Sequence, residues 1–295
     1  MPGGSRTRTV LSGPVSLAVA EAGDPSRQTV VMIHGYPDTK EMWEPVMERL
    51  AGEFHVVAYD VRGAGSSTAP RRTADYDLRL LADDFAAVCD AVSPGRPVHV
   101  VGHDWGGIQG WEFATAERLR GRVASFTSIA GPALGHAVSA TRMPARSGDL
   151  LTALNRIRRS WYILVLCAPG GAQLASRVLL ATPRWRRMLE SDGVPTDDRY
   201  PAATLSADAI NGARLYRRNI PPRVIGRHPL APAHAPVQLI VPAGDRFISP
   251  SYYDAAERVA PVLRRRSVPG SHWAVRTHPA LVARWIAEFA GDPSA

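Results

Sequence analysis

Short runs of β-branched and aliphatic residues, each followed by an amphipathic stretch, set the tightest limit on how this chain folds. Thr29-Val30-Val31-Met32-Ile33 is apolar almost throughout and ends at His34-Gly35, and His55 to Tyr59 repeats the pattern and ends at Asp60. A strand apolar on both its faces cannot leave either of them in water. These runs therefore read as strands of a parallel sheet covered on both sides. Leu78, Leu81, Phe85, Val88 and Val92 recur at helical spacing, and Val98 to Val101 is a third buried strand. Trp111 to Leu119 reads as a helix and Val123 to Ile129 as a fourth strand. Such alternation predicts an α/β fold with a mostly parallel central sheet and helices on both faces.

From about Pro132 to Pro236 the alternation stops, and Arg, Pro, Trp and Tyr become frequent around helical patterns at Leu150 to Ala168 and Ala207 to Tyr216. It resumes with the strand Val237 to Val241, a helix near Tyr252 to Val259, a last strand before His272 and a helix from Pro279 to Phe289. The simplest organisation is one core, residues 1–132 and 237–295, split by a helical insertion of residues 133–236. That insertion is expected to lie over the C-terminal ends of the strands, where open α/β sheets bind ligands.

No apolar run is long enough for a membrane span. Gly13 and Pro14 interrupt the mildly apolar stretch Val10 to Ala20, which reads as two strands around a turn rather than a signal peptide. Cys89 and Cys167 form no metal-like cluster and read as buried free thiols in a reducing cytoplasm. The formal charge of +8 raises nucleic acid as a partner, but the basic residues are scattered and, apart from Lys40, all are arginine. Short clusters such as Arg264-Arg265-Arg266 and Arg186-Arg187 come without any nucleic-acid motif, so a solvated face is the reading here. No metal and no cofactor are expected.

Gly102-His103-Asp104-Trp105-Gly106-Gly107 follows the strand ending at Val101 and opens a helix. This is the spacing of the Gly-x-Ser-x-Gly nucleophile turn with aspartate in the serine position, and the glycines permit a sharp bend that exposes the central side chain. The substitution changes the chemistry. A hydroxyl needs a base before it attacks, whereas an ordinary carboxylate is already an anion at neutral pH. On an acyl carbon a carboxylate would give a reactive anhydride. On a saturated carbon with a strained or good leaving group it gives a stable ester, which an activated water must then cleave. Epoxides and alkyl halides are the natural substrates.

That water needs a base and the base an orienting acid. Asp245 follows the strand ending in Val241-Pro242, and His272 lies in Gly270-Ser271-His272-Trp273 after the next strand. The chain order nucleophile, acid, histidine fits, and no carboxylate follows the Val123–Ile129 strand before Asp149. His103 is expected to point away from the tight turn. His34-Gly35-Tyr36-Pro37, after an earlier buried strand, is expected to supply one oxyanion-hole N–H from Tyr36, with the other from Trp105.

These three motifs resemble those of the epoxide hydrolases of the α/β-hydrolase superfamily, over nearly the whole chain. The chain is also similar to the N-terminal hydrolase portion of two-domain actinobacterial proteins that continue into a short-chain dehydrogenase. It stops after the hydrolase portion, so no dehydrogenase activity is expected. The resemblance implies an α/β-hydrolase fold with a helical cap, and two cap tyrosines that bind and protonate the epoxide oxygen. Ser160-Trp161-Tyr162-Ile163 and Leu215-Tyr216-Arg217-Arg218-Asn219 place these at Tyr162 and Tyr216. A phenol can give its proton to a strongly basic alkoxide without being ionised first.

Haloalkane dehalogenases share the aspartate turn and often a following Trp, but they usually carry Asn where Tyr36 stands. Fluoroacetate-type dehalogenases usually have Arg after the nucleophile, where Trp105 stands. Dehalogenation and a non-catalytic ligand-binding protein are the alternatives, the second disfavoured by the complete set of nucleophile, acid, base and tyrosines. Trp161, Phe247 and Trp273 are expected to line the pocket. The aromatic cap residues Trp161, Tyr162, Trp185 and Tyr216 favour a bulky or aromatic epoxide as the small-molecule partner. A cytoplasmic monomer or homodimer, with no nucleic-acid or membrane partner, completes the expectation.

Overall fold

The computed structural model describes residues 5–135, 161–178, 180, 182–226, 231–254 and 256–292. An eight-stranded sheet runs in the order β1-β2-β4-β3-β5-β6-β7-β8. The strands are β1 (Arg6–Ser12), β2 (Val15–Ala22), β3 (Thr29–Ile33), β4 (His55–Tyr59), β5 (Val98–His103), β6 (Val123–Ile129), β7 (Val237–Pro242) and β8 (Leu263–Val268). β1 and β2 form an antiparallel pair that joins β4 antiparallel, and every pairing from β4 across to β8 is parallel. The segment that could pass for a leader peptide is thus a β-hairpin at the sheet edge.

The uninterrupted apolar runs are explained by the pleat. Val31, Ile33, Val57 and Tyr59 point to one face and pack with Leu81, Phe85 and Val88 of α2 (Leu78–Val92) and Trp111 and Phe113 of α3 (Trp105–Thr115). Val30, Met32, Val56 and Ala58 point to the other, against Val46 and Met47 of α1 (Glu44–Leu50) and Val282 and Ile286 of α7 (Pro279–Gly291). Successive side chains alternate across a strand, so burial on both faces demands apolar residues at every position.

Helix α3 begins at Trp105, directly after the turn, and ends at Thr115. The expected helix at Trp111 to Leu119 is corrected to this range, with a separate 3-10 turn at Glu117–Leu119. Its first turns are glycine-rich because the helix lies hard against the sheet. A Cβ on Gly106 would sit 2.0 Å from the Ile33 carbonyl oxygen, and one on Gly110 would sit 2.1 Å from the Phe126 ring. Gly106→Ala must push α3 off β3 and is expected to cost about 2–3 kcal/mol of unfolding free energy, read from urea denaturation.

Between β6 and β7 the described residues are mainly helical: 161–167, α4 (Gly171–Val178), α5 (Thr182–Ser191) and α6 (Leu205–Ile225). The helical pattern expected at Leu150 to Ala168 falls partly on residues 150–160, outside those described. Helix α6 is longer than the Ala207–Tyr216 pattern and passes through Pro221 and Pro222. Asn219 pins it to the core, accepting from the Leu78 N–H and donating to the Tyr76 carbonyl. The helix expected near Tyr252 to Val259 is instead two 3-10 turns, Pro250–Tyr253 and Ala256–Arg258.

The arginine run 264–266 lies on edge strand β8. Arg265 pairs with Asp254, Arg266 pairs with Glu288, and Arg264 lies over the Phe289 ring. Charges on an edge strand discourage pairing with another sheet. Cys89 is buried, but Cys167 is only half-buried, which corrects that expectation. No described helix is long and apolar enough to cross a membrane.

Candidate active site

The parallel strands deliver their loops to one edge of the sheet, where β3, β5, β7 and β8 are followed by Tyr36, Asp104, Asp245 and His272. Asp104 sits at the bend between β5 and α3 with φ 50° and ψ −116°, a left-handed conformation that a non-glycine residue holds only under constraint. The constraint is visible. The Asp104 N–H donates to the Ile129 carbonyl at 3.0 Å, and its own carbonyl accepts from Ile108 at 3.0 Å. Gly102 lies so close to α3 that a Cβ there would meet the Gly106 carbonyl oxygen at 2.2 Å.

The Asp104 carboxylate has two distinct sides. Oδ1 accepts the Tyr36 N–H at 2.9 Å, and Oδ2 faces His272 Nε2 at 3.6 Å. His272 Nδ1 lies 2.8 Å from Asp245 Oδ2, while Asp245 Oδ1 accepts the N–H groups of Phe247 and Ile248 at 2.7 and 2.9 Å. Burial would push the Asp245 carboxyl up, but His272 and those two amides hold it below the ordinary value. Burial likewise favours a neutral His272, yet the carboxylates of Asp245 and Asp104 outweigh it and raise the imidazole to about 10. The ring lies between these two carboxyl groups and holds its proton more readily than a free imidazole.

Trp105 is the first residue of α3, and among the described residues its N–H makes no bond to the Asp104 carboxylate. His103 does not point away as expected. Its Nε2 lies 3.0 Å from the His272 carbonyl oxygen and its ring 4.8 Å from the His272 ring. Burial, reinforced by His272, lowers it to about 4, so it is a neutral prop beneath the base.

A cavity of about 360 Å³ opens over Asp104 and His272. Tyr162, Tyr216, Trp161, Phe247 and Trp273 all line it, so the residues expected from the insertion meet those from the core. Trp161 is half exposed, whereas Trp273 is buried. The Tyr216 ring packs edge-on against Trp105 at 4.8 Å and Tyr36 at 5.1 Å, and the Tyr162 ring stands edge-on to Tyr216 at 6.2 Å. Burial pushes both phenols up, with Asp104 adding to each, so both keep their protons. Among the described residues no group of His, Cys, Asp and Glu is arranged to hold a metal.

Asp38 escaped the sequence reading. It lies one residue beyond the quoted His34–Pro37 loop, is buried, and accepts from Tyr200 Oη and Trp273 Nε1, both at 2.9 Å.

The profile of the alpha/beta hydrolase fold family matches residues 28–279. The chain belongs to the α/β-hydrolase family. The chain is 35% identical over 300 residues to a Mycobacterium tuberculosis protein described as "Probable oxidoreductase EphD", covering 98% of this chain and 50% of that one. It is 36% identical over 137 residues to "Epoxide hydrolase A" of the same organism, covering 46% of this chain and 41% of the relative. The chain thus spans about half the length, or less, of these curated relatives. Among solved structures, a Bacillus megaterium epoxide hydrolase bound to an inhibitor superposes with a TM-score of 0.80 at 21% identity. That superposition covers 97% of this chain and 100% of the other. A Vigna radiata epoxide hydrolase gives 0.74 at 20% identity, over 97% and 98% of the two chains. At these identities the structures speak to the α/β-hydrolase fold.

Proposed function

We propose that this α/β-hydrolase converts an epoxide to a vicinal diol through a covalent ester on Asp104. The observation that carries the reading is the two-sided carboxylate, with Oδ1 on the Tyr36 N–H and Oδ2 facing His272 beneath a cavity lined by two phenols. The relative named as an epoxide hydrolase supports the same substrate class. Residues 133–236 act as the cap that brings Tyr162 and Tyr216 over the core. The substrate is a small epoxide with a bulky or aromatic substituent, matched to walls of Trp161, Phe247 and Trp273.

In the first step an Oδ2 lone pair attacks a ring carbon, the C–O bond breaks, and the oxygen takes a proton from Tyr162 or Tyr216. Asp104 thereby loses its charge. With that carboxylate esterified, the His272 proton passes to the phenolate left by ring opening, which restores the tyrosine and frees the imidazole as a base. His272, oriented by Asp245, then takes a proton from water, whose oxygen adds to Asp104 Cγ. Negative charge develops on Oδ1, where the Tyr36 N–H already lies at 2.9 Å. The Trp105 N–H is the second donor in this proposal and joins as the ester carbonyl turns toward it. Collapse expels the diol oxygen, the original Oδ2, which takes the proton of the newly added hydroxyl and so restores the Asp104 carboxylate.

Isotopic water tests this. In a single turnover with enzyme in excess, heavy oxygen enters the Asp104 carboxylate and the diol carries none. Label in the diol alone defeats the covalent route. Halide release from alkyl halides, assayed beside diol formation, separates the dehalogenase alternative.

Each phenol is expected to matter separately. Tyr162→Phe and Tyr216→Phe each slow diol formation about 10²-fold, and the double variant loses more than either, within the usual range for a general acid. Steady-state kinetics on each variant would show it, and parent-like rates in the double variant would remove both tyrosines from the reaction.

A further inference from the structure

The buried Asp38 carboxylate joins two loops that the reaction needs in register. Asp38, Tyr200 and Trp273 are all at most 5% exposed. Each Asp38 oxygen accepts from a neutral donor, Tyr200 Oη on one side and Trp273 Nε1 on the other, both at 2.9 Å. No cation bonds the carboxylate directly among the described residues, and burial pushes Asp38 up against the pull of its two donors. A carboxylate kept in such a place is costly unless it organises something. What it touches indicates what that is.

On its own loop, the Asp38 N–H donates to the Gly35 carbonyl at 3.0 Å, closing the turn that presents the Tyr36 N–H to Asp104. Across the cleft, it fixes the Trp273 indole, whose ring stands edge-on to His272 at 5.1 Å and to Phe247 at 5.8 Å. Its third contact, Tyr200, comes from the segment between β6 and β7 and lies under the Arg276 guanidinium at 4.2 Å, which strengthens the phenol as a donor. One side chain thus ties the oxyanion loop, the base loop and the inserted segment together.

We infer that Asp38 is a positioning residue for hydrolysis of the Asp104 ester, holding the Tyr36 N–H and the His272 imidazole in register with Tyr200 as its anchor in the insertion. The inference rests on the two-step reading above. Cleaving the ester uses the amide and the imidazole at the same instant, whereas forming it uses Asp104 and the two phenols. Loosening the Asp38 clamp should slow the second step and spare the first.

Asp38→Asn replaces one acceptor oxygen with an NH₂ that faces a donor, and Tyr200→Phe removes a single hydroxyl remote from the cavity. Rapid-quench single turnovers with styrene oxide, or with whichever of a panel of epoxides the parent turns over fastest, resolve the two steps by the mass of the Asp104 peptide. The ester is expected to form within threefold of the parent rate in both variants and to be hydrolysed about tenfold more slowly. Steady-state kcat falls with hydrolysis. Ester hydrolysis at the parent rate overturns the role of Asp38, and so does an equal fall in both steps accompanied by a lower melting temperature. If Asp38→Asn does not fold, Tyr200→Phe decides alone. A parent that never carries an Asp104 ester defeats the two-step reading and this inference together. A parent that does, with variants that clear it normally, defeats this inference only.

Discussion

Replacing His272 with glutamine is expected to stop the reaction after one event, leaving the opened substrate attached to Asp104. Alkylation needs the Asp104 carboxylate and the phenols, and none of these is removed. Hydrolysis needs a group that can take a proton from water, and glutamine cannot. General-base contributions of about 10² to 10⁴ set the scale, so kcat should fall about 10⁴-fold. The variant should show a stoichiometric burst and then silence. Intact-mass measurement would find one substrate mass added per chain, and peptide mapping would place it on Asp104. Diol production continuing at a rate near the parent's would remove His272 from the mechanism. Glutamine also keeps a polar side chain where the ring sat against Asp245, so any loss of melting temperature should be modest beside the loss of rate.

Much of this was legible in the sequence, and for a physical reason in each case. The strands announced themselves because a sheet covered on both faces leaves little room for polar groups: in Thr29 to Ile33 and His55 to Tyr59 only Thr29 and His55 are markedly polar, and they bond each other, with His55 also bonding Glu21. Asp104, Asp245 and His272 could be picked out because each follows a strand end, and parallel strands bring their ends to one edge. The turn motif marked where α3 opens, but the apolar pattern showed only its later part: glycines 106 and 110 give no apolar signal, yet they let the helix approach Ile33 and Phe126. His103 was misread because an alternation rule fails at a bend, where consecutive side chains need not diverge. Asp38 gave no signal at all. Its partners lie 162 and 235 residues away, and nothing local marks a carboxylate that will be buried between a phenol and an indole. Trp273 was expected as pocket wall, but its N–H serves Asp38 instead, a division of one side chain that composition cannot show.

Asp104→Asn should have the largest effect of any single change, and its combination with His272→Gln is the sharper test. Asparagine is nearly the same shape, and its amide oxygen can still accept the Tyr36 N–H that now lies 2.9 Å from Oδ1. What disappears is the charge and the lone pair of a competent nucleophile. Turnover should drop by about 10⁵-fold or more, to the level left when a nucleophile is removed and only binding and oxyanion stabilisation remain. No adduct should form at any time. In the double variant the effects must not multiply, because His272 acts only on an ester that Asp104 has already made. Rates for Asp104→Asn alone and for the pair are therefore expected to coincide, and the burst seen in His272→Gln should vanish. If the pair were instead far slower than Asp104→Asn, His272 would be working on the substrate directly, with water attacking the ring. A water-first route would also leave Asp104→Asn substantially active, since the imidazole, its Asp245 partner and the two phenols are all intact in that variant.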